Sequence, residues 1–254
     1  MSGREIAREV AIVPGLIANA YLVGSRESWV VVDAGIPGSH RRIRRAATRR
    51  FGADARPRAV VLTHGHFDHA GSAGALASYW GVRIFAHERE LPFLNGEREY
   101  PPMDSSPPGF FCKLSRLFPS RTVRLDGYLE ELRPQAPPPG LEEWECVETP
   151  GHTPGHVAFF RPAGGVLLAG DAITTMDLDS FIGTILCRPR VCRPPVPATT
   201  DWDNARRSVE RLAALRPRVL AAGHGPPIQD GAAELQSLAA HFAPPPYGRY
   251  VQAR

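Results

Sequence analysis

The sequence predicts an α/β sandwich, and three observations carry that prediction. Short apolar runs of strand length, bounded by turn residues, recur along the chain. Between them lie segments whose apolar residues repeat at helical spacing. Strands and helices alternate through the whole sequence, which argues against an all-α or all-β architecture.

Taken in order, the predicted strands are 9–13, 20–23, 29–32, 59–62, 82–85, 145–148, 158–160, 166–168 and 219–222. Ser39 is suited to cap a helix running to Phe51, and 70–79 has the small and apolar residues of a second helix. Thr200, followed by Asp203, opens a third, in which Ala205, Val209, Leu212 and Leu215 recur at helical spacing. A fourth, 232–242, stops before the prolines at 244–246. The stretch from 91 to about 140 breaks the pattern, being rich in proline and carrying Phe93, Phe110, Phe111 and Phe118. Its aromatics argue for a packed lid rather than a disordered linker. The expected organisation is one domain over 1–254, with an insertion or lid at about 91–140 and a tail at about 244–254.

At 254 residues the chain can bury a sizeable core, and 43% hydrophobic against 22% charged residues is the balance of a globular protein rather than a disordered one. The net charge is +4, yet Lys113 is the only lysine, and no basic stretch is interleaved with aromatics as a nucleic-acid surface would be. The densest cluster, Arg41, Arg42, Arg44, Arg45, Arg49 and Arg50, reads as the solvated face of one helix. No apolar run has membrane-spanning length and the first ten residues lack a secretory core, so a cytoplasmic protein is expected. Cys112, Cys146, Cys187 and Cys192 form no CxxC pair and are expected as free thiols, with pairing or metal binding by Cys187 and Cys192 as the alternative.

The chemistry gathers at strand ends. The strand 59–62 runs into Thr63-His64-Gly65-His66-Phe67-Asp68-His69, four metal-ligand side chains within six residues. Imidazole and carboxylate are the donors that zinc, iron and manganese accept. The i, i+2 spacing of His64 and His66 lets both rings point one way, and Gly65 and Gly71 allow bending and close packing. His152 follows 145–148, Asp171 follows 166–168, and His224 follows 219–222, each after a glycine. His87 and His156 remain near-site candidates beside an ordinary structural role.

These motifs resemble the metallo-β-lactamase superfamily, and the resemblance runs from Val30-Val31-Val32-Asp33-Ala34-Gly35 to His224. It implies an αββα sandwich with two divalent metal ions at one sheet edge, zinc foremost, with iron or manganese as alternatives. It assigns His64, His66 and His152 to one ion and Asp68, His69 and His224 to the other, with Asp171 bridging. Asp33 resembles the aspartate that steadies the histidine loop. A carboxylate at Asp171 resembles glyoxalase II, the acyl-homoserine lactonases and the tRNA-processing branch, whereas several true β-lactamases carry cysteine or serine there. Little sequence follows His224, which argues against a glutathione-binding helical domain. Thr174 stands where lactonases commonly place a tyrosine.

The implied activity is a metal-dependent hydrolase in which a metal-bridging hydroxide cleaves an ester, thioester or lactone of a small, partly apolar substrate. Asp68 and Asp171 are its catalytic carboxylates, the first orienting the nucleophile and the second holding the metals. The arginines of 187–193 are candidates for a substrate carboxylate or phosphate, with a solvated loop as the plainer reading. The alternatives are a phosphodiesterase on the same site, a mononuclear iron enzyme of the persulfide-dioxygenase type, and a non-catalytic metal-binding protein. A small-molecule substrate is expected, without nucleic-acid or membrane partners, and the chain as either monomer or homodimer.

Overall fold

A computed structural model of the chain describes residues 3–117 and 123–251. The chain divides into two compact units, Met1–Glu99 with Arg121–Cys146, and Tyr100–Ser120 with Val147–Arg254. The fold class is the mixed α/β one expected, with two sheets and helices accompanying each. The segment 91–140 is shared between the units, and Phe118 lies outside the described residues.

In the first unit, β1 (Arg4–Ala7), β2 (Val10–Val13), β3 (Ala20–Gly24) and β4 (Trp29–Val32) pair antiparallel in succession. Helix α1 (His40–Phe51) then crosses to β5 (Ala59–Val61), which pairs parallel with β4. Helices α2 (Phe67–Ala70) and α3 (Ala73–Trp80) lead to β6 (Arg83–His87), and after α4 (Leu91–Leu94) the sheet closes on β7 (Leu129–Leu132). Strands β5, β6 and β7 are parallel, so the chain leaves β4, β5 and β6 at one end of the sheet. Every residue of β4 and β5 is buried. Trp29 is fully buried, with Phe51 stacked at 4.5 Å and Trp80 edge-on at 5.6 Å.

The predicted helix over 70–79 is two helices, broken at Gly71-Ser72. A side chain at Gly71 would collide with the carbonyl oxygen of Phe67 and the backbone of Pro37, so the close packing expected there is present. Ser39 occupies the N-cap position of α1, but its side chain makes no capping bond. The hydroxyl of Ser72 accepts the His40 N–H at 3.2 Å and donates to Ile36 O at 2.7 Å, so the cap comes from a distant residue.

The second unit contains α5 (Phe110–Leu114), and from Val147 on it carries a sheet of β8 (Glu145–Glu148, its first two residues counted with the first unit), β9 (Val157–Arg161), β10 (Val166–Leu168), β11 (Val219–Ala221) and β12 (Ile228–Gln229) in the order β12-β11-β10-β9-β8. Strands β10 and β11 are parallel, joined by α6 (Phe181–Leu186) and α7 (Trp202–Ala214), and α8 (Ala232–Ala240) follows β12. The N-cap of α7 is Asp201 rather than Thr200: its carboxylate accepts the Asn204 N–H at 2.9 Å. All four cysteines are free. Among the described residues, no helix is long and apolar enough to cross a membrane.

The end of the chain is tied to its own unit. Asp104 accepts hydrogen bonds from the Ser106 amide at 3.0 Å, the Ser106 hydroxyl at 2.6 Å and the Arg249 amide, while the Tyr250 hydroxyl donates to Pro102 O at 2.6 Å. Tyr250 and Val251 pack on Cys112, Val196 and Trp202. Burial alone would raise the Asp104 carboxyl, but these donors outweigh it and hold it below its ordinary value. Its contribution to stability is therefore present above the unfolded carboxylate value of about 3.9 and lost as pH falls through the lower folded value. Asp104→Ala is expected to cost about 2 kcal/mol in urea unfolding at neutral pH and to speed tryptic cleavage at Arg249. An unchanged digestion rate would show that the tail is held by other contacts.

Burial, with the carboxylates of Asp179 and Asp104 adding to it, pushes the Cys112 thiol up to about 12. Burial and the nearby Asp177 carboxylate push Cys192 up to about 11. Both stay protonated at neutral pH, so neither presents the thiolate that thiol reagents attack. With Ellman's reagent on the native protein, the fast phase is expected at the exposed Cys187 and to disappear in Cys187→Ser.

Candidate metal centre

In the first unit the ligand loop begins where β5 ends. Asp33 follows β4, with its carboxylate almost completely buried and its backbone at φ 59°, a left-handed conformation that aspartate tolerates better than most residues. Its amide donates to Val61 O at 2.9 Å, which fixes it beside the start of the loop. Oδ1 accepts the Thr63 amide at 2.8 Å, and the Thr63 hydroxyl donates to Oδ2 at 2.9 Å. Oδ2 also lies 2.8 Å from His69 Nδ1. One carboxylate thus holds the first residue and the last histidine of the motif.

Those bonds dictate which ring nitrogens present lone pairs. A carboxylate can only accept, so His69 carries its proton on Nδ1 and offers Nε2. The Thr63 hydroxyl spends its one proton on Asp33, so at 3.0 Å it accepts from His64 Nδ1–H, and His64 likewise offers Nε2. That Nε2 lies 3.1 Å from His66 Nδ1. Ligand atoms of Asp68 and His69 lie within 4.8 Å of each other, as do those of His64 and His69. The Gly65 amide donates at 2.9 Å to Oε2 of Glu90, a fully buried glutamate. This unit therefore gathers His64, His66, Asp68 and His69, with Asp33 behind them. Glu90 gave no signal in the sequence.

The second unit builds its ligands on a parallel ladder. Leu168 of β10 is opposite Ala221 of β11, and Asp171 and His224 follow at equal offsets from that pair. The ladder continues past the strands, through Ala169 N–H to Ala221 O at 2.7 Å and Gly223 N–H to Gly170 O at 2.8 Å. Asp171 Oδ2 then lies 3.0 Å from His224 Nε2 and 3.5 Å from His152 Nε2. His152 Nδ1 is 3.1 Å from the Thr199 hydroxyl, which donates its proton to Pro195 O at 2.8 Å. Nδ1 is therefore the donor, and in the neutral ring the bare Nε2 faces a carboxylate oxygen. Two electron-rich atoms facing each other across 3.5 Å suit a cation held between them. Gly151 takes φ +134° in the loop before His152, and a side chain there would strike the backbone of Ala205 in α7.

His156 has a role here that sequence could not assign. At 2.7 Å its Nδ1 meets the Thr149 hydroxyl, and its Nε2 accepts the Asp171 amide at 2.9 Å. A ring accepting at Nε2 is neutral and engaged, so His156 positions the backbone of Asp171. His87 in the first unit is likewise structural, with Nδ1 accepting the Arg89 amide at 3.1 Å. Thr174 is held by its own surroundings, donating from its hydroxyl to Met176 O at 2.8 Å. Phe111, of the aromatic segment, lies 6.1 Å from the His224 ring and packs with Met176 and Leu178. Phe93 belongs to the first unit, in α4. Among the arginines of 187–193, Arg190 lies 3.5 Å from Asp177 and Arg193 2.6 Å from Asp179.

The donor set of each unit, imidazoles with one oriented lone pair and a carboxylate, fits a divalent metal. Comparison with known proteins agrees. The family model of the metallo-β-lactamase superfamily matches residues 13–224. A probable metallo-hydrolase, YflN of Bacillus subtilis, is 37% identical over 231 residues, 89% of this chain and 88% of its own. The hydroxyacylglutathione hydrolase GloC of Haemophilus influenzae is 31% identical over 45% of this chain and 49% of its own. A metallo-β-lactamase family protein of Thermus thermophilus, TTHA1429, superposes with a TM-score of 0.63 at 27% identity, covering 93% of this chain and 80% of that one. The structure of TTHA1623 in a di-iron-bound form gives a TM-score of 0.59 at 26% identity, over 89% of this chain and 95% of that one. On the extent of the family match and of the relationship to YflN, this chain belongs to the metallo-β-lactamase superfamily.

Proposed function

We propose that the chain is a dinuclear-metal hydrolase of an ester, thioester or lactone bond in a small, partly apolar substrate. His64, His66 and His152 would hold one ion, Asp68, His69 and His224 the other, and Asp171 both. The observation that supports this best is Asp171 Oδ2, one carboxylate oxygen between His224 Nε2 at 3.0 Å and His152 Nε2 at 3.5 Å. When bound, the metal pair supplies water of lowered pKa and polarises the bond to be cleaved. Zinc, iron and manganese all accept this donor set, and the relative TTHA1623 has been seen with two irons.

The chain's own groups do the rest. Asp33, Thr63 and Thr199 keep the protons of His69, His64 and His152 on Nδ1, so that each Nε2 can ligate. Asp68, at the first turn of α2, would accept a proton from the attacking water. Residues of the second unit supply an apolar surface for a substrate. Phe111 stands beside His224, Phe110 meets Phe181 edge-on at 5.0 Å, and the α6 side chains Phe181, Ile182, Ile185 and Leu186 are all exposed. The relationship to GloC supports a thioester or related acyl bond.

The deciding measurement pairs metal content with turnover on a panel of lactones, thioesters, aryl esters and a bis-nitrophenyl phosphodiester. About two metals per chain and preference for a carboxylic substrate are expected, with loss of turnover under a chelator and return with added zinc. Asp171→Ala should lower kcat/KM roughly a hundredfold or more and reduce bound metal. Preference for the phosphodiester would move the assignment to phosphorus chemistry. A single iron with oxygen uptake would overturn it, and so would full metal occupancy without turnover on any substrate.

Asp33→Ala separates positioning from ligation. It removes no ligand, yet His69 and the Thr63–His64 pair lose the acceptor that sets their tautomers. Metal affinity is expected to fall roughly 10- to 100-fold, with turnover recovering at high metal concentration. Asp171→Ala should not recover in that way.

A further inference from the structure

The six arginines of α1 do not share one role. Arg44 lies over the Tyr79 ring at 3.2 Å, Arg50 pairs with Glu5 at 2.8 Å, and Arg42 donates to Pro14 O at 2.7 Å. Arg41, Arg45 and Arg49 are exposed and make no ion pair among the described residues. Their i, i+4, i+8 spacing sets them along one side of the helix, over a rise of about 12 Å. The buried side is carried by Ile43, Ala46, Ala47 and Phe51.

These three arginines border a shallow, open depression beside the helix. A cavity of about 510 Å³ is bounded by Arg41, Arg42, Arg45 and Arg49 with Leu16 and the 36–39 turn. A second opening, of about 380 Å³, is lined by α1 side chains alone, among them Arg41, Arg45 and Arg49. No aspartate or glutamate lines either one. Like charges four residues apart destabilise a helix, and a lining without acids leaves their field unneutralised. An anion seated there relieves the repulsion and meets guanidinium groups able to bind phosphate in two-pronged fashion.

We propose that this depression binds a small oligophosphate anion. The combined observations fix the class. The larger depression has the volume of a small-ligand site and is bounded by α1 on one side and by Leu16 and the 36–39 turn on the other. No aromatic side chain lines either cavity, so there is no platform on which a nucleobase would stack. Three guanidinium groups on one side of the helix supply the concentrated positive charge that linked phosphates call for. This binding is independent of the hydrolase assignment, because α1 contributes no candidate metal ligand.

The test is calorimetric titration of the metal-loaded full chain with inorganic tripolyphosphate, with metal content measured before and after to detect chelation. Saturable binding is expected with metal retained, weakening roughly tenfold or more between 50 and 200 mM salt. Arg45→Gln with Arg49→Gln should weaken it at least about tenfold while leaving hydrolysis unchanged, and should not lower thermal stability because a like-charge pair is removed. Equal affinity in that double variant, heat accounted for by metal loss, or no binding would overturn the proposal. Tighter binding of a single-stranded oligonucleotide, or of vesicles containing phosphatidylserine, would overturn it in favour of those partners.

Discussion

The buried carboxylate of Asp33 is the constraint on which the first unit's chemistry rests. A carboxylate out of water is costly unless its oxygens are satisfied, and Asp33 is satisfied by the Thr63 amide and hydroxyl and by His69. Each donor belongs to the ligand loop. The energetic demand of burying one charge is thereby converted into a fixed geometry for Thr63, His64 and His69. The parallel pairing of β4 with β5 makes this possible, because it brings the residue after β4 level with the loop that leaves β5.

The second unit reaches the same result without a buried acid behind its histidines. Hydroxyls serve instead: Thr199 fixes His152 by passing its own proton to Pro195 O, and Thr149 fixes His156, which holds the Asp171 amide. The difference follows from charge. Asp171 is itself a nearly buried acid, and a further carboxylate beside it would raise the cost of ionising both. Neutral partners orient the rings without adding a second acid beside Asp171.

Much of this was legible in the sequence because strand ends announce themselves. The strands 29–32, 145–148 and 166–168 have the predicted bounds, and Asp33, His152 and Asp171 follow them as side-chain types with few other uses in that position. What escaped has a common cause. Strands β1, β7 and β12 are sheet edges or very short, so charge interrupts the apolar signal, as Glu130 and Glu131 do in β7. Glu90, Thr199 and His156 act through partners 15 to 47 residues away, and no local pattern distinguishes them from ordinary polar residues. The α1 cap failed for the same reason: Ser39 had the right local position, but Ser72 supplied the bond. The arginine helix was readable as a charged face, yet only the fold shows a depression beside it.

The precision required of metal ligands also follows from where they are attached. Asp171 and His224 leave neighbouring parallel strands at equal offsets, with backbone bonds continuing from Ala169 and Gly170 to Ala221 and Gly223. Their separation is therefore set by the sheet's ladder rather than by loop packing, and a ladder resists displacement because each shift would break several hydrogen bonds together. A loop-borne ligand could adapt to an ion of different size. Under the proposed function, donors anchored this way favour a constant geometry, which would leave substrate preference to parts that vary independently of the ladder, the α5 and α6 side chains of the same unit.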